Sequence, residues 1–108
     1  MTSDHTTYNW LMSTGNTEAA QKCNKSEITN CFGGGNESLI SKLSVTRMQG
    51  ISCLLLTSDG VHEYVDIDQL ESILSSESTG EDKCNQILAL AHKAGSKDDK
   101  TVILACRD

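Results

Sequence analysis

A basic excess is what this sequence most plainly lacks: 9 Lys and Arg stand against 15 Asp and Glu, a formal net charge of −6. A protein that holds a phosphate backbone needs a stripe of cations, so nucleic acid is excluded as a partner. Long apolar runs are missing too. Segments such as Cys53–Leu56 are far short of the ~18 residues of a membrane span, and no membrane association is expected. No basic stretch followed by an apolar one opens the chain, so no export signal is expected and the cytoplasm is the expected location. The five cysteines, at 23, 31, 53, 84 and 106, contain no C-x-x-C, which excludes a zinc knuckle and a thioredoxin-type motif. Reduced thiols are the expectation for such a chain. Cys53 and Cys106 in strand-like runs, and Cys84 on the apolar face of a helix, read as small core hydrophobes. Cys23 and Cys31 lie in polar surroundings that assign them no role.

What is present is enough for one small domain of 108 residues, with 37% apolar and 22% charged side chains, proportions that a disordered acidic tail does not have. Residues 1–36 are polar, and a short helix is predicted over 7–14, with Tyr8, Leu11 and Met12 on one side and Gly15 as its stop. Thr17 is placed to cap a further turn, Glu18–Lys22. The run Gly33-Gly34-Gly35-Asn36 then breaks regular structure. Residues 37–108 carry the core. Leu43 and Val45 alternate with Ser44 and Thr46 as a half-buried strand, Gln49-Gly50 turns, and Ile51–Thr57 returns as a second strand, central in its sheet. Asp66-x-x-Gln69 has the form of a capping box ahead of an apolar face of Ile67, Leu70, Ile73 and Leu74. Ser78-x-x-Glu81 opens another helix, with Cys84, Ile87, Leu88 and Ala91 at i, i+3, i+4 and i+7 and Gly95 as its stop. Thr101–Cys106 is the final strand. Antiparallel strands with two C-terminal helices make a layered α+β fold.

Asp59 follows the C-terminal end of one strand, and Asp98 precedes the N-terminal end of another. If those strands pair antiparallel, the two ends coincide and the carboxylates converge. Hard oxygen ligands so placed suit Mg²⁺ or Mn²⁺. Taken singly, Asp59-Gly60 reads as a turn and Lys97-Asp98-Asp99-Lys100 as a solvated loop. Other constellations fail. Asp66-Ile67-Asp68 is explained by capping, the glycine run lacks the Gly-Lys-Ser/Thr continuation of a phosphate loop, and Ser58 lacks the spacing of a nucleophile elbow. His5, His62 and His92 have no zinc-type partners nearby in sequence.

The same residues carry a family resemblance. Leu54-Leu55-Leu56-Thr57-Ser58-Asp59-Gly60-Val61 resembles the "LLL-x-SDG" segment of metal-dependent serine/threonine protein phosphatases of type 2C. Gly95-Ser96-Lys97-Asp98-Asp99-Lys100-Thr101 is similar to that family's "GS-x-DN-x-T". Thr2-Ser3-Asp4-His5-Thr6 is similar to "T-x-DHS", and Ile28-Thr29-Asn30-Cys31-Phe32-Gly33-Gly34 to "LTRALGG". The four segments come in the family's order and cover nearly the whole chain. The resemblance implies part of an αββα sandwich. It also implies that Asp59 and Asp98 are ligands in a Mg²⁺ or Mn²⁺ centre that activates water toward phosphoserine or phosphothreonine esters. Gly60 and Asp99 stand beside them as supporting or additional metal residues, Asp99 in place of the family's Asn. Residues 14–27 correspond to a flap at the active site. The family's "DG-x-GG" aspartate and phosphate-binding arginine have no counterpart here, since Arg47 and Arg107 sit in no such motif. The expectation is therefore the C-terminal portion of such a phosphatase, inactive alone and acting on a phosphoprotein when joined to the missing half. The alternatives are a non-catalytic remnant or binding module of the same fold, and a truncated product without function. Self-association through an uncovered strand face is expected of the isolated chain.

Overall fold

The computed structural model describes residues 2–29, 31 and 45–107, and the chain divides into two compact units, Met1–Arg47 and Met48–Asp108. In the first, helix α1 (Thr7–Ser13) starts at Thr6, whose Oγ1 accepts the Asn9 N–H at 3.2 Å, satisfying one of the donors that a helix start leaves without an intrahelical partner. It stops at Gly15, whose φ of +82° is a left-handed turn that favours glycine. Helix α2 spans Thr17–Lys22 with Asn16 as its N-cap residue. Thr17 is thus the first helical residue and not the cap. The reason is local: the Asn16 N–H closes back on the Leu11 carbonyl at 2.9 Å, so the chain re-enters helical geometry one residue earlier than the side chain pattern suggests. An antiparallel bridge joins Thr6 to Ile28, flanked by bonds from Thr7 N to Glu27 O (2.9 Å) and from Thr29 N to His5 O (2.8 Å). The bridge sets the segment 2–6 beside 28–29. The glycine run at 33–36 and Leu43 lie outside the described residues.

The second unit is a two-stranded ladder covered on one face by helices. Strand β1 (Cys53–Thr57) pairs antiparallel with β2 (Val102–Cys106), with Leu55 opposite Leu104 and Thr57 opposite Val102. Between them run α3 (Asp59–His62), α4 (Ile67–Ser75) and α5 (Gly80–Lys93). Val61, Val65, Ile73, Ile87 and Ala91 are the buried centre, and Leu55, Leu70, Leu88, Leu90 and Val102 pack around it. Alternation along the strands leaves Leu54, Leu56, Ile103 and Ala105 on the opposite, exposed face. This is the α+β layered arrangement expected.

Helix boundaries follow their capping chemistry. The Asp66–Gln69 capping box is formed, with the Asp66 N–H donating to Gln69 Oε1 at 3.1 Å. Helix α5 is capped by Thr79, whose Oγ1 accepts the Asp82 N–H at 3.1 Å, one residue after the expected Ser78. Its far end is a Schellman turn: Gly95 N donates to His92 O and Ser96 N to Ala91 O, with Gly95 at φ +98°.

Two expectations are corrected here. Residues 45–49 form no strand, Val45 is 94% exposed, and β1 pairs only with β2 among the described residues. Two exposed apolar side chains, Val45 and Met48, bury too little to offset the entropy of an ordered strand. Second, Cys53 and Cys106 are not free core thiols. They are exposed and joined in a disulfide, because the register sets them directly opposite one another with Cα atoms 4.2 Å apart. Cys23, Cys31 and Cys84 are free. No described helix is long and apolar enough to cross a membrane.

Candidate active site

The pairing of Thr57 with Val102 fixes which end of the ladder matters. β1 leaves that end into Ser58 and Asp59, and β2 is entered there through Asp98, Asp99, Lys100 and Thr101. Asp59 is the first residue of α3, so Asp59-Gly60 opens a helical turn where a simple reversal was the bland expectation. An acidic side chain at a helix start is favoured by the unpaired N–H groups there, and the Gly60 N–H donates to Asp59 Oδ1 at 2.9 Å.

Three side chains whose partners the sequence does not reveal hold this end together. The Ser58 hydroxyl donates to the Asp99 carbonyl at 3.2 Å and accepts the Thr101 N–H at 3.0 Å. The Ser58 N–H adds a bond to Thr101 O at 3.1 Å. Ser96, only 3% exposed, donates its hydroxyl proton to the Gly60 carbonyl at 2.7 Å. Lys100 Nζ donates to the Asp98 carbonyl at 2.7 Å and to the Ser96 carbonyl at 3.2 Å. Ser58 is a structural hydroxyl and not a nucleophile in waiting. The signal for its real place was its position between a strand end and an acidic helix start, where a hydroxyl serves two backbone groups.

Gly60 is where the two segments touch. A Cβ built on it would overlap the Asp99 carbonyl oxygen and lie 3.3 Å from Asp98 Cβ. Backbone approaches this close need glycine, so the Asp98–Asp99 loop lies directly against the start of α3. Asp98 uses Oδ1 to accept the Asp99 N–H at 2.9 Å. Asp59 and Asp98 therefore each have one oxygen occupied by a backbone N–H and, among the described residues, a second oxygen with no hydrogen bond. Asp59, Asp98 and Asp99 are all exposed at this end. Hard, anionic oxygen donors on adjoining segments fit a divalent cation of the Mg²⁺ type. No group of three or more His, Cys, Asp or Glu suited to a metal occurs among the described residues.

No family model and no curated protein matches the chain. Solved structures do. A bacterial serine phosphatase is 34% identical with a TM-score of 0.75, over 98% of this chain and 44% of its own. The serine/threonine phosphatase of S. agalactiae is 25% identical with a TM-score of 0.77, over 99% of this chain and 46% of its own. That of Staphylococcus aureus is 33% identical with a TM-score of 0.75, over 100% of this chain and 43% of its own. The chain thus spans less than half the length of the phosphatases that it matches, in keeping with a C-terminal half. With nearly every residue aligned to them and the "SDG" and "GS-x-D" segments in place, the chain is similar in sequence and fold to the C-terminal half of bacterial serine/threonine phosphatases.

Proposed function

We propose that Asp59 and Asp98 supply two ligands to a Mg²⁺ or Mn²⁺ centre for hydrolysis of phosphoserine or phosphothreonine esters, completed by residues outside this chain. The observation that supports it is the convergence of two carboxylate-bearing segments at one end of the ladder, stitched together through Ser58 and Ser96. A bound divalent cation at such a centre lowers the pKa of a water molecule and offsets charge on phosphoryl oxygens. The chain's own residues do the positioning. Ser58 fixes the loop to the strand end, Ser96 fixes the start of α3, and Gly60 lets the two segments lie in contact. Asp99 adds a negative charge beside Asp98 and keeps the N–H that holds Asp98 Oδ1. A phosphoprotein substrate and action in the cytoplasm belong to the same reading.

Titration calorimetry with Mn²⁺ tests it. Two carboxylates leave most of the coordination shell to water, so affinity is expected on the order of 1 mM, and Asp59→Ala abolishes it. Micromolar binding that survives Asp59→Ala places the metal elsewhere. The purified chain should not hydrolyse p-nitrophenyl phosphate with Mn²⁺, because so sparse a centre supplies only part of the stabilisation that phosphomonoester hydrolysis needs. Co-expression with a matching N-terminal half should restore turnover, and Asp98→Asn should remove it again. The absence, among the described residues, of a group of three or more His, Cys, Asp or Glu suited to a metal equally suits a non-catalytic binding module of the same fold. Complementation that restores no activity while Mn²⁺ binding persists would select that module.

A further inference from the structure

Cys53 and Cys106 occupy the last register pair of the ladder, at the end away from Asp59 and Asp98. Both are exposed, although they share the strand face of Leu55 and Val102. Beyond them the Arg107 N–H donates to the Ser52 carbonyl at 2.8 Å. The cysteines open onto a groove of about 570 Å³ whose lining includes Gly50, Ile51 and Arg107. A groove of that size admits a small molecule, and Arg107 places a cationic side chain on its lining. Exposed disulfides are the labile ones in thiol exchange, and the proposed phosphatase chemistry makes no use of this pair.

From these features we infer that Cys53 and Cys106 form a thiol–disulfide exchange site for low-molecular-weight thiols, and that the bond clamps the open end of the ladder. In reduction, a thiolate of a small dithiol attacks one of the two sulfurs. A mixed disulfide forms, and the other cysteine leaves as a thiolate that takes up a proton. The second thiol of the reductant then attacks the mixed disulfide, releasing the remaining cysteine. Two electrons and two protons pass to the pair, and the reductant is left as its own disulfide. The reverse uses a small disulfide as oxidant. In a reducing compartment the site is therefore a dithiol, and oxidation locks the register. Because no metal or phosphate enters the reaction, the inference is independent of the hydrolytic reading.

The bond closes a chain separation of 53 residues, long enough for a large effect on the unfolded state. The full chain, equilibrated across buffers of reduced and oxidised dithiothreitol, acid-quenched and alkylated, is read by mass spectrometry of its cysteine peptides. Cys53 and Cys106 should become protected together in one two-electron transition, while Cys23, Cys31 and Cys84 stay alkylated throughout. The oxidised chain should melt on the order of 10–20 °C above the reduced chain. That difference should vanish in Cys53→Ser. If Cys53 and Cys106 stay alkylated in the most oxidising buffer, or if either pairs with another cysteine instead, the inference is wrong. It is also wrong if protection occurs with no change in melting, since the clamp would then hold nothing. The peptide reading needs no variant, so a Cys53→Ser chain that fails to fold leaves the test standing.

Discussion

Gly60→Ala is the sharpest perturbation of the candidate site, because it adds one methyl group where two segments already touch. The new Cβ would overlap the Asp99 carbonyl oxygen, with the Asp99 carbonyl carbon at 3.2 Å and Asp98 Cβ at 3.3 Å. The obstacle is mostly backbone, and it is held by the Ser58 hydroxyl on one side and by Lys100 on the other. Such overpacking costs about 1–3 kcal/mol. Displacing the loop also strains the Ser96 bond to Gly60 O, worth about 1 kcal/mol. Against this stands the helical preference of Ala over Gly, at most about 1 kcal/mol, and α3 has only four residues in which to use it. The balance is destabilising by roughly 1–3 kcal/mol. At roughly 4–8 °C per kcal/mol for a unit of about 60–100 residues, the melting temperature should fall visibly in a circular-dichroism scan. Gly80→Ala is the control, since a Cβ there meets nothing within 4 Å, and it should melt at or slightly above the parent. Mn²⁺ binding should weaken in Gly60→Ala and persist in Gly80→Ala. A Gly60→Ala chain as stable as Gly80→Ala, with Mn²⁺ binding intact, would refute the close approach of the loop to α3.

Ser96→Ala leaves the buried Gly60 carbonyl without its 2.7 Å donor, so urea unfolding should show a loss of about 1–3 kcal/mol with an unchanged slope; no loss would mean that water replaces the hydroxyl. Leu56 and Ile103, opposite one another on the open strand face and 53% and 55% exposed, should drive self-association of the isolated chain, visible in sedimentation at tens of micromolar or so (the range of weak association). Leu56→Lys should abolish it, and a parent chain that sediments as a clean monomer would refute it.

The helices were legible because their signals are local. The spacing of Ile87 and Ala91, the Asp66–Gln69 box and the Gly95 stop each need only a few neighbouring residues, and all three appear in the structure. The slip from Ser78 to Thr79 at the start of α5 has the same origin: two hydroxyl residues in succession offer rival caps, and only packing decides between them. The β1–β2 pairing was legible in outline from the two carboxylates expected at one end. The same register governs the other end. Counting four residues back from Thr57 and four on from Val102 lands on Cys53 and Cys106, which the antiparallel pattern sets face to face. Composition argued for free thiols and hid the bond. The hydrogen-bonding roles of Ser58, Ser96 and Lys100 were not legible, because each serves backbone groups far away in sequence or around a loop. Such partners have no periodic signature.

The ladder also sets the order in which this unit assembles. α4 and α5 are neighbours in sequence and can pack with little loop closure, whereas Leu55 must find Leu104 across all the helices between. Contacts this distant form slowly, because the closure entropy comes before the contact that rewards it. The helical pair is therefore the natural nucleus and the ladder closes after it. The segments that carry Asp59 and Asp98 lie on either side of that closure, and the contact at Gly60 forms only when it is complete. Helix-weakening substitutions in α4 or α5 should slow folding, while ladder substitutions such as Leu55→Ala should act mainly by speeding unfolding. The carboxylate end comes apart as soon as the ladder opens, so its lifetime is the unfolding time of β1 from β2.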